Sequence, residues 1–105
     1  MDSGELSRGT SMNEHPSHGK RRVDFVVDAE PGSVVHVGGT FNDWDCHADP
    51  LREGVTAGVF SGSCLIPPGR HEYKLHINGE WVLDRRNPCF CQNAFGSLNN
   101  VLEVR

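Results

Sequence analysis

Nothing in this chain of 105 residues is long, apolar and uninterrupted enough to cross a bilayer. The opening stretch "MDSGELSRGTSMNEHPSHGKRR" lacks the apolar core of a signal peptide, so a cytoplasmic location is the expectation. In that compartment the four cysteines read as thiols rather than disulfides. Basic charge is also missing: a net charge of −4 supplies no electrostatic reason to expect nucleic acid, whose binders usually carry a basic face. No segment sustains a helical period. What remains, at 36% hydrophobic and 23% charged residues, is the material of one soluble globular domain.

Residues 1–21 are Ser, Gly, His and charge with almost no large apolar side chains, and cannot offset the entropy of ordering. They read as a flexible leader, and Lys20-Arg21-Arg22 as its solvated flank. From residue 22 to 105 the pattern is one of strands. "RVDFVVD" alternates Val23, Phe25 and Val27, and "PGSVVHVGG" turns and then puts Val35 and Val37 in phase. "GVFSGSCLI" alternates Phe60, Gly62, Cys64 and Ile66, and "NNVLEV" alternates Leu102 with Val104. Short alternating runs punctuated by Gly, Pro and Asn predict an all-β antiparallel sandwich with Phe25, Val35, Val37, Phe60, Cys64, Leu75 and Ile77 inside.

The stretch "EYKLHINGEWVLD" fixes a register. Asn78-Gly79 is a signal for a two-residue hairpin turn, since both residues tolerate positive φ. Ile77 then opposes Glu80, His76 opposes Trp81, Leu75 opposes Val82, Lys74 opposes Leu83 and Tyr73 opposes Asp84. Opposed residues share a face and successive residues alternate. Tyr73, Leu75, Ile77 and Val82 therefore make a core face, and Lys74, His76, Trp81 and Leu83 the other. Either another part of the chain covers Trp81, or it stands at the surface for a purpose.

Taken together, "VVHVGGTFNDWD", "LIPPGRHEYKLHINGEWVLD", "NP" and "FGSLNNVLEV" resemble carbohydrate-binding module family 48. This is the glycogen- and starch-binding module found in the β subunit of AMP-activated protein kinase and at the N-terminus of isoamylases and glycogen-branching enzymes. The likeness runs over residues 22–105 and consists of several motifs in order. It implies an immunoglobulin-like early-set β-sandwich that binds α-1,4-linked glucans, with a glucan-metabolising enzyme or a kinase as partner. The family's "FNxW" tryptophan falls on Trp44, its "YK" lysine on Lys74, and its post-turn tryptophan on Trp81. The apolar, hydroxyl and amide positions of its last loop fall on Phe95, Ser97 and Asn99. The tract "RRNPCFCQNAFG" departs from the family, with Cys89 and Cys91 unusual and Arg85 where a proline is common.

These side chains suit a sugar. A glucose ring presents slightly positive C–H bonds that meet the negative face of an indole, and its rim hydroxyls need donors and acceptors. The Lys74 ammonium donates, while the Asn99 amide and Ser97 hydroxyl do both. Each residue also has a plainer use. Trp44 would serve to plug the sandwich, Phe95 as core, Asn99 and Asn100 as a turn, and Lys74 as a solvated strand residue.

Other chemistry finds little support. Cys89, Cys91, Cys46 and His47 could be read as a zinc set, but C-x-C lacks the usual spacer, and no metal or other cofactor is expected. Cys89 and Cys91 then serve as packing thiols or have no special role. A glycosidase needs two carboxylates flanking the scissile bond in a cleft. Asp43, Asp45, Glu80 and Asp84 instead fall at or near turns, and no nucleophile–base constellation is present, so the expectation is a binding module and not an enzyme. The alternative is a sandwich that recruits a protein through a sheet edge, or a structural module of a multi-chain kinase or glucan-metabolising complex.

Overall fold

A computed structural model describes residues 19–105. The expected leader lies outside the described residues except for its last three, where Gly19 and Lys20 are exposed and Arg21 opens the first strand.

Every element among the described residues is a strand: β1 (Arg21–Asp28), β2 (Val35–Gly39), β3 (Pro50–Glu53), β4 (Val59–Ile66), β5 (Gly69–Ile77), β6 (Glu80–Val82), β7 (Phe90–Gln92) and β8 (Leu98–Val104). All pairings are antiparallel, in the order β1-β4-β3-β2-β5-β8-β7, with β6 against β5. The corner is β3. Pro50 and Leu51 pair with β2, while Arg52 and Glu53 pair with β4, so one short strand hands the chain from one layer to the other.

The period-two pattern builds the core. Phe25, Val27, Phe60, Cys64 and Ile66 from one layer meet Val35, Val37, Tyr73, Leu75 and Val104 from the other, with Leu51 at the corner. Phe25 and Tyr73 touch edge to face across the layers, ring centroids 5.3 Å apart. Six of the seven residues expected inside are buried, and Ile77 is half-buried against the cluster. This is the all-β antiparallel sandwich that the alternation predicts, of the immunoglobulin-like kind that the family resemblance implies. Burial raises the Cys64 thiol to about 12, which suits an inert packing group.

The hairpin forms as read. Asn78 and Gly79 hold φ of 52° and 89°, and Leu75, His76 and Ile77 pair with Val82, Trp81 and Glu80. Two expected pairs do not form. β6 ends at Val82, and β8 takes over the edge of β5, so Tyr73 opposes Asn100 instead of Asp84, and Lys74 does not oppose Leu83. The Tyr73–Asp84 proximity survives through side chains, the phenol donating to Asp84 Oδ2 at 2.8 Å. Asn99 and Asn100 are strand residues of β8 and make no turn.

Candidate functional site

The outward face of β5 and its neighbours carries a row His36–His76–Trp81 across β2, β5 and β6, and next to it Gly38 opposite Lys74. Trp81 lies across this face, and its benzo ring covers Gly38. A Cβ at Gly38 would stand 2.5 Å from Trp81 Cη2 and 2.7 Å from Cζ3. His76 flanks the indole, ring centroids 4.8 Å apart. With 40% of its surface exposed, Trp81 is seated on the sheet and still open to solvent.

Trp44 reaches the same place from the β2–β3 loop. Its ring meets Trp81 at 6.0 Å and 71°, one indole edge-on to the other. Asn42 holds that loop. Its Oδ1 accepts the Gly39 N–H at 2.9 Å, and its Nδ2 donates to the Val37 carbonyl at 2.9 Å and to Asp49 Oδ2 at 2.8 Å. The tight path puts Asp43 and Trp44 in the left-handed region, φ 56° and 57°. That conformation costs a bulky residue about 1–2 kcal/mol and is maintained only where the surroundings impose it.

The β7–β8 turn brings the remaining residues. Asn93 Oδ1 accepts the N–H groups of Phe95 and Ser97 at 2.9 and 3.1 Å, and Gly96 takes φ 84°. Phe95 stands out of this turn 94% exposed, so it is not core. Ser97 Oγ accepts from Asn93 Nδ2 at 2.8 Å and from Lys74 Nζ at 3.4 Å, leaving its own hydrogen free to donate. Asn99 sits lower, 6% exposed. Its Nδ2 donates to Glu72 Oε1 at 3.0 Å and its Oδ1 accepts from Asn93 at 3.1 Å. The Asn99 amide and then Arg70 hold the Glu72 carboxyl below its ordinary range. Cys91 opposes Asn99 across β7 and β8.

All six residues singled out from sequence thus come from the outward face of one layer or the two loops beside it. Trp44 and Trp81 are in contact, as are Lys74 and Ser97. Phe95 shares a turn with Ser97, and Asn99 lies at the base with its amide engaged by protein. Sequence reasoning passed over Gly38, Asn42, Glu72 and Asn93. The asparagines had a visible signal, each being followed within three residues by a turn. The other two had none, because what defines them is contact with residues distant in the chain.

Two other regions bound the interpretation. A cavity of about 840 Å³ opens on the opposite, inward side of the sheet, lined by Val27, Leu75, Ile77, Val82, Arg86 and Phe90 among others. It includes none of the six residues, so the candidate site is an open surface rather than a pocket. Among the described residues no group of His, Cys, Asp and Glu is placed to hold a metal, and all four cysteines are free thiols. Cys64 packs in the core, whereas Cys89 is exposed and serves no packing role.

Comparison with known proteins matches residues 21–105 to the family described as the glycogen recognition site of AMP-activated protein kinase. The chain is 29% identical over 84 residues to the mouse 5'-AMP-activated protein kinase subunit beta-2, covering 80% of this chain and 30% of that protein. The human beta-2 subunit gives 29% identity over 84 residues, 80% of this chain and 29% of the relative. The bovine beta-1 subunit gives 31% over 74 residues, 70% of this chain and 26% of the relative. The chain therefore spans less than a third of the length of these relatives. A match running from the first strand to the last, on a sandwich whose outward face carries two touching indoles, shows that the chain belongs to the family of the glycogen recognition site of AMP-activated protein kinase.

Proposed function

We propose that this chain binds glycogen or a related α-1,4-glucan on the outward face of β5, through Trp44, Lys74, Trp81, Phe95, Ser97 and Asn99, without catalysing a reaction on it. The observation that carries this reading is the pair of indoles, one seated with an open face and one edge-on at 71°. A seated ring and an upright ring form two sides of a cradle, which suits a curved glucan better than a flat surface does. Lys74 Nζ makes one described hydrogen bond, to Ser97, so two of its three donors remain for sugar hydroxyls. The bare Phe95 ring adds apolar area beside them.

The relatives named above are kinase subunits, which supports a further part of the proposal. The module serves a kinase complex and acts in the cytoplasm, bringing its partner to glucan. No helix among the described residues is long and apolar enough to cross a membrane.

Isothermal titration with β-cyclodextrin or maltoheptaose tests the binding reading. Trp81→Ala is expected to lose about 2 kcal/mol or more, roughly thirtyfold, as for a central aromatic of a small interface. A folded Trp81→Ala variant that binds at full strength would move the site elsewhere.

A further inference from the structure

Gly38 is a glycine that its backbone does not require. It lies inside β2, opposite Lys74, and its φ is not in the left-handed region. Glycine in a strand interior weakens the strand and often marks the close approach of another group. At Gly38 that group is the Trp81 indole, which an added Cβ would meet at 2.5 and 2.7 Å; the next contact is the Trp44 carbonyl carbon at 3.6 Å. The neighbouring Gly39 differs. A Cβ there would meet the Glu72 carbonyl oxygen at 2.5 Å and Tyr73 Cβ at 2.8 Å, so Gly39 answers to the backbone and the core. The obstruction at Gly38 is one rigid ring of the candidate site.

We propose that Gly38 is a positioning residue of the glucan site, leaving the space in which the Trp81 indole lies down on the sheet. This rests on reading Trp81 as the glucan platform. With any side chain at residue 38 the benzo ring must lift from β2. His76, 4.8 Å away between centroids, stands on one flank, and Trp44, 6.0 Å away, meets the ring from another. The ring therefore tilts into the space a sugar would use or breaks its contact with Trp44. Either movement changes the angle between the two sides of the cradle. Gly38 acts on the ligand only through the indole.

The test is a double-mutant cycle of Gly38→Ala and Trp81→Ala, read by titration with maltoheptaose, urea midpoint and near-ultraviolet circular dichroism. Gly38→Ala is expected to weaken binding by about tenfold or more and to alter the tryptophan dichroism while the protein stays folded. In the Trp81→Ala background the same substitution should change neither affinity nor midpoint for the worse, because the obstruction is gone. Equal destabilisation in both backgrounds would make Gly38 a structural residue and overturn the proposal. Wild-type affinity and dichroism in Gly38→Ala would overturn it as well. Full-strength binding by Trp81→Ala would remove the platform reading and with it any role of Gly38 in glucan binding. The dichroism would still show whether the glycine seats the ring, so the two failures are distinguishable.

Discussion

Asn99 and Asn100 are successive residues of β8, alike in chemistry, and they work on opposite faces of one layer. Asn100 is 1% exposed and turns inward. Its Oδ1 accepts the Asp84 N–H at 2.7 Å, and its Nδ2 donates to the carbonyls of Asp84 and Asn87 at 3.1 and 3.2 Å. Beside it the Tyr73 hydroxyl donates to Asp84 and accepts from Asn87 at 3.1 Å, and burial raises the phenol well above its ordinary range. This network closes the segment between β6 and β7 entirely on protein groups. Asn99 turns outward and supports a network that stays open. Glu72, Asn93, Ser97 and Lys74 are linked, yet Ser97 and Lys74 keep donors for something else. A polar network that satisfies itself specifies a fold, and one that stops short presents a site.

The comparison breaks most visibly at the alternation of β5. Leu75→Ala should cost about 2–5 kcal/mol of stability, as core truncations do, whereas Trp81→Ala should cost much less stability and most of the binding. Urea midpoints and glucan affinities of the two variants check this. If Trp81→Ala unfolds as readily as Leu75→Ala, the indole belongs to the core.

Next in size is Asn100→Ala. It strips partners from the buried N–H and carbonyl of Asp84, and each group left unsatisfied costs about 1–3 kcal/mol. Its midpoint should fall while affinity per folded molecule stays close to wild type. An Asn100→Ala protein of unchanged stability would show that water replaces the asparagine and that the network is not closed.

Much of this division was legible in the residues themselves. The inward side chains of β1, β4 and β5 follow from alternation alone, and the Asn78-Gly79 turn gave the hairpin register that sets Trp81 outward. β3 and β7, of four and three residues, were not legible, because runs so short show no alternation. The exchange of β6 for β8 along β5 was likewise hidden, since it depends on which distant strand fills an edge. In the site, Trp44, Trp81 and Lys74 stood out through the family resemblance. Glu72 and Gly38 did not, because their parts are defined by Asn99, 27 residues away, and by Trp81.

Asn99→Ala sharpens the contrast from the other side. It releases Glu72 and Asn93 at the partly exposed end of β8, where water replaces lost hydrogen bonds, so the stability cost should be about 1 kcal/mol. Glucan affinity should fall more than the midpoint does, because Asn93 also shapes the turn bearing Phe95 and Ser97. If Asn99→Ala and Asn100→Ala lose equal stability with equal binding, the two faces do not differ in the way described.

The smallest expected effect is a pH dependence that belongs to the outward face. His36 is the far end of the row that runs through His76 to Trp81, and its buried Nδ1 has no hydrogen-bond partner among the described residues. An imidazolium needs both of its N–H groups satisfied, so this setting disfavours the charged form. Burial, then the charges of His47 and His76, lower the pKa from its ordinary 6.5, with Asp45 opposing them. A histidine whose pKa is lower in the fold binds its proton more readily when unfolded. Its contribution to stability is therefore complete above the unfolded value and is lost as pH falls from there through the folded value. Asp24, Asp28, Glu53 and Glu72, all held below ordinary carboxyl values, act in a separate and more acidic window. Urea midpoints taken between about pH 5 and pH 7 should decline on the acid side in wild type and decline less in His36→Phe. Parallel profiles for the two proteins would show that His36 does not carry the slope, and a midpoint that rises on acidification would mean that the folded chain, not the unfolded one, binds the proton more readily.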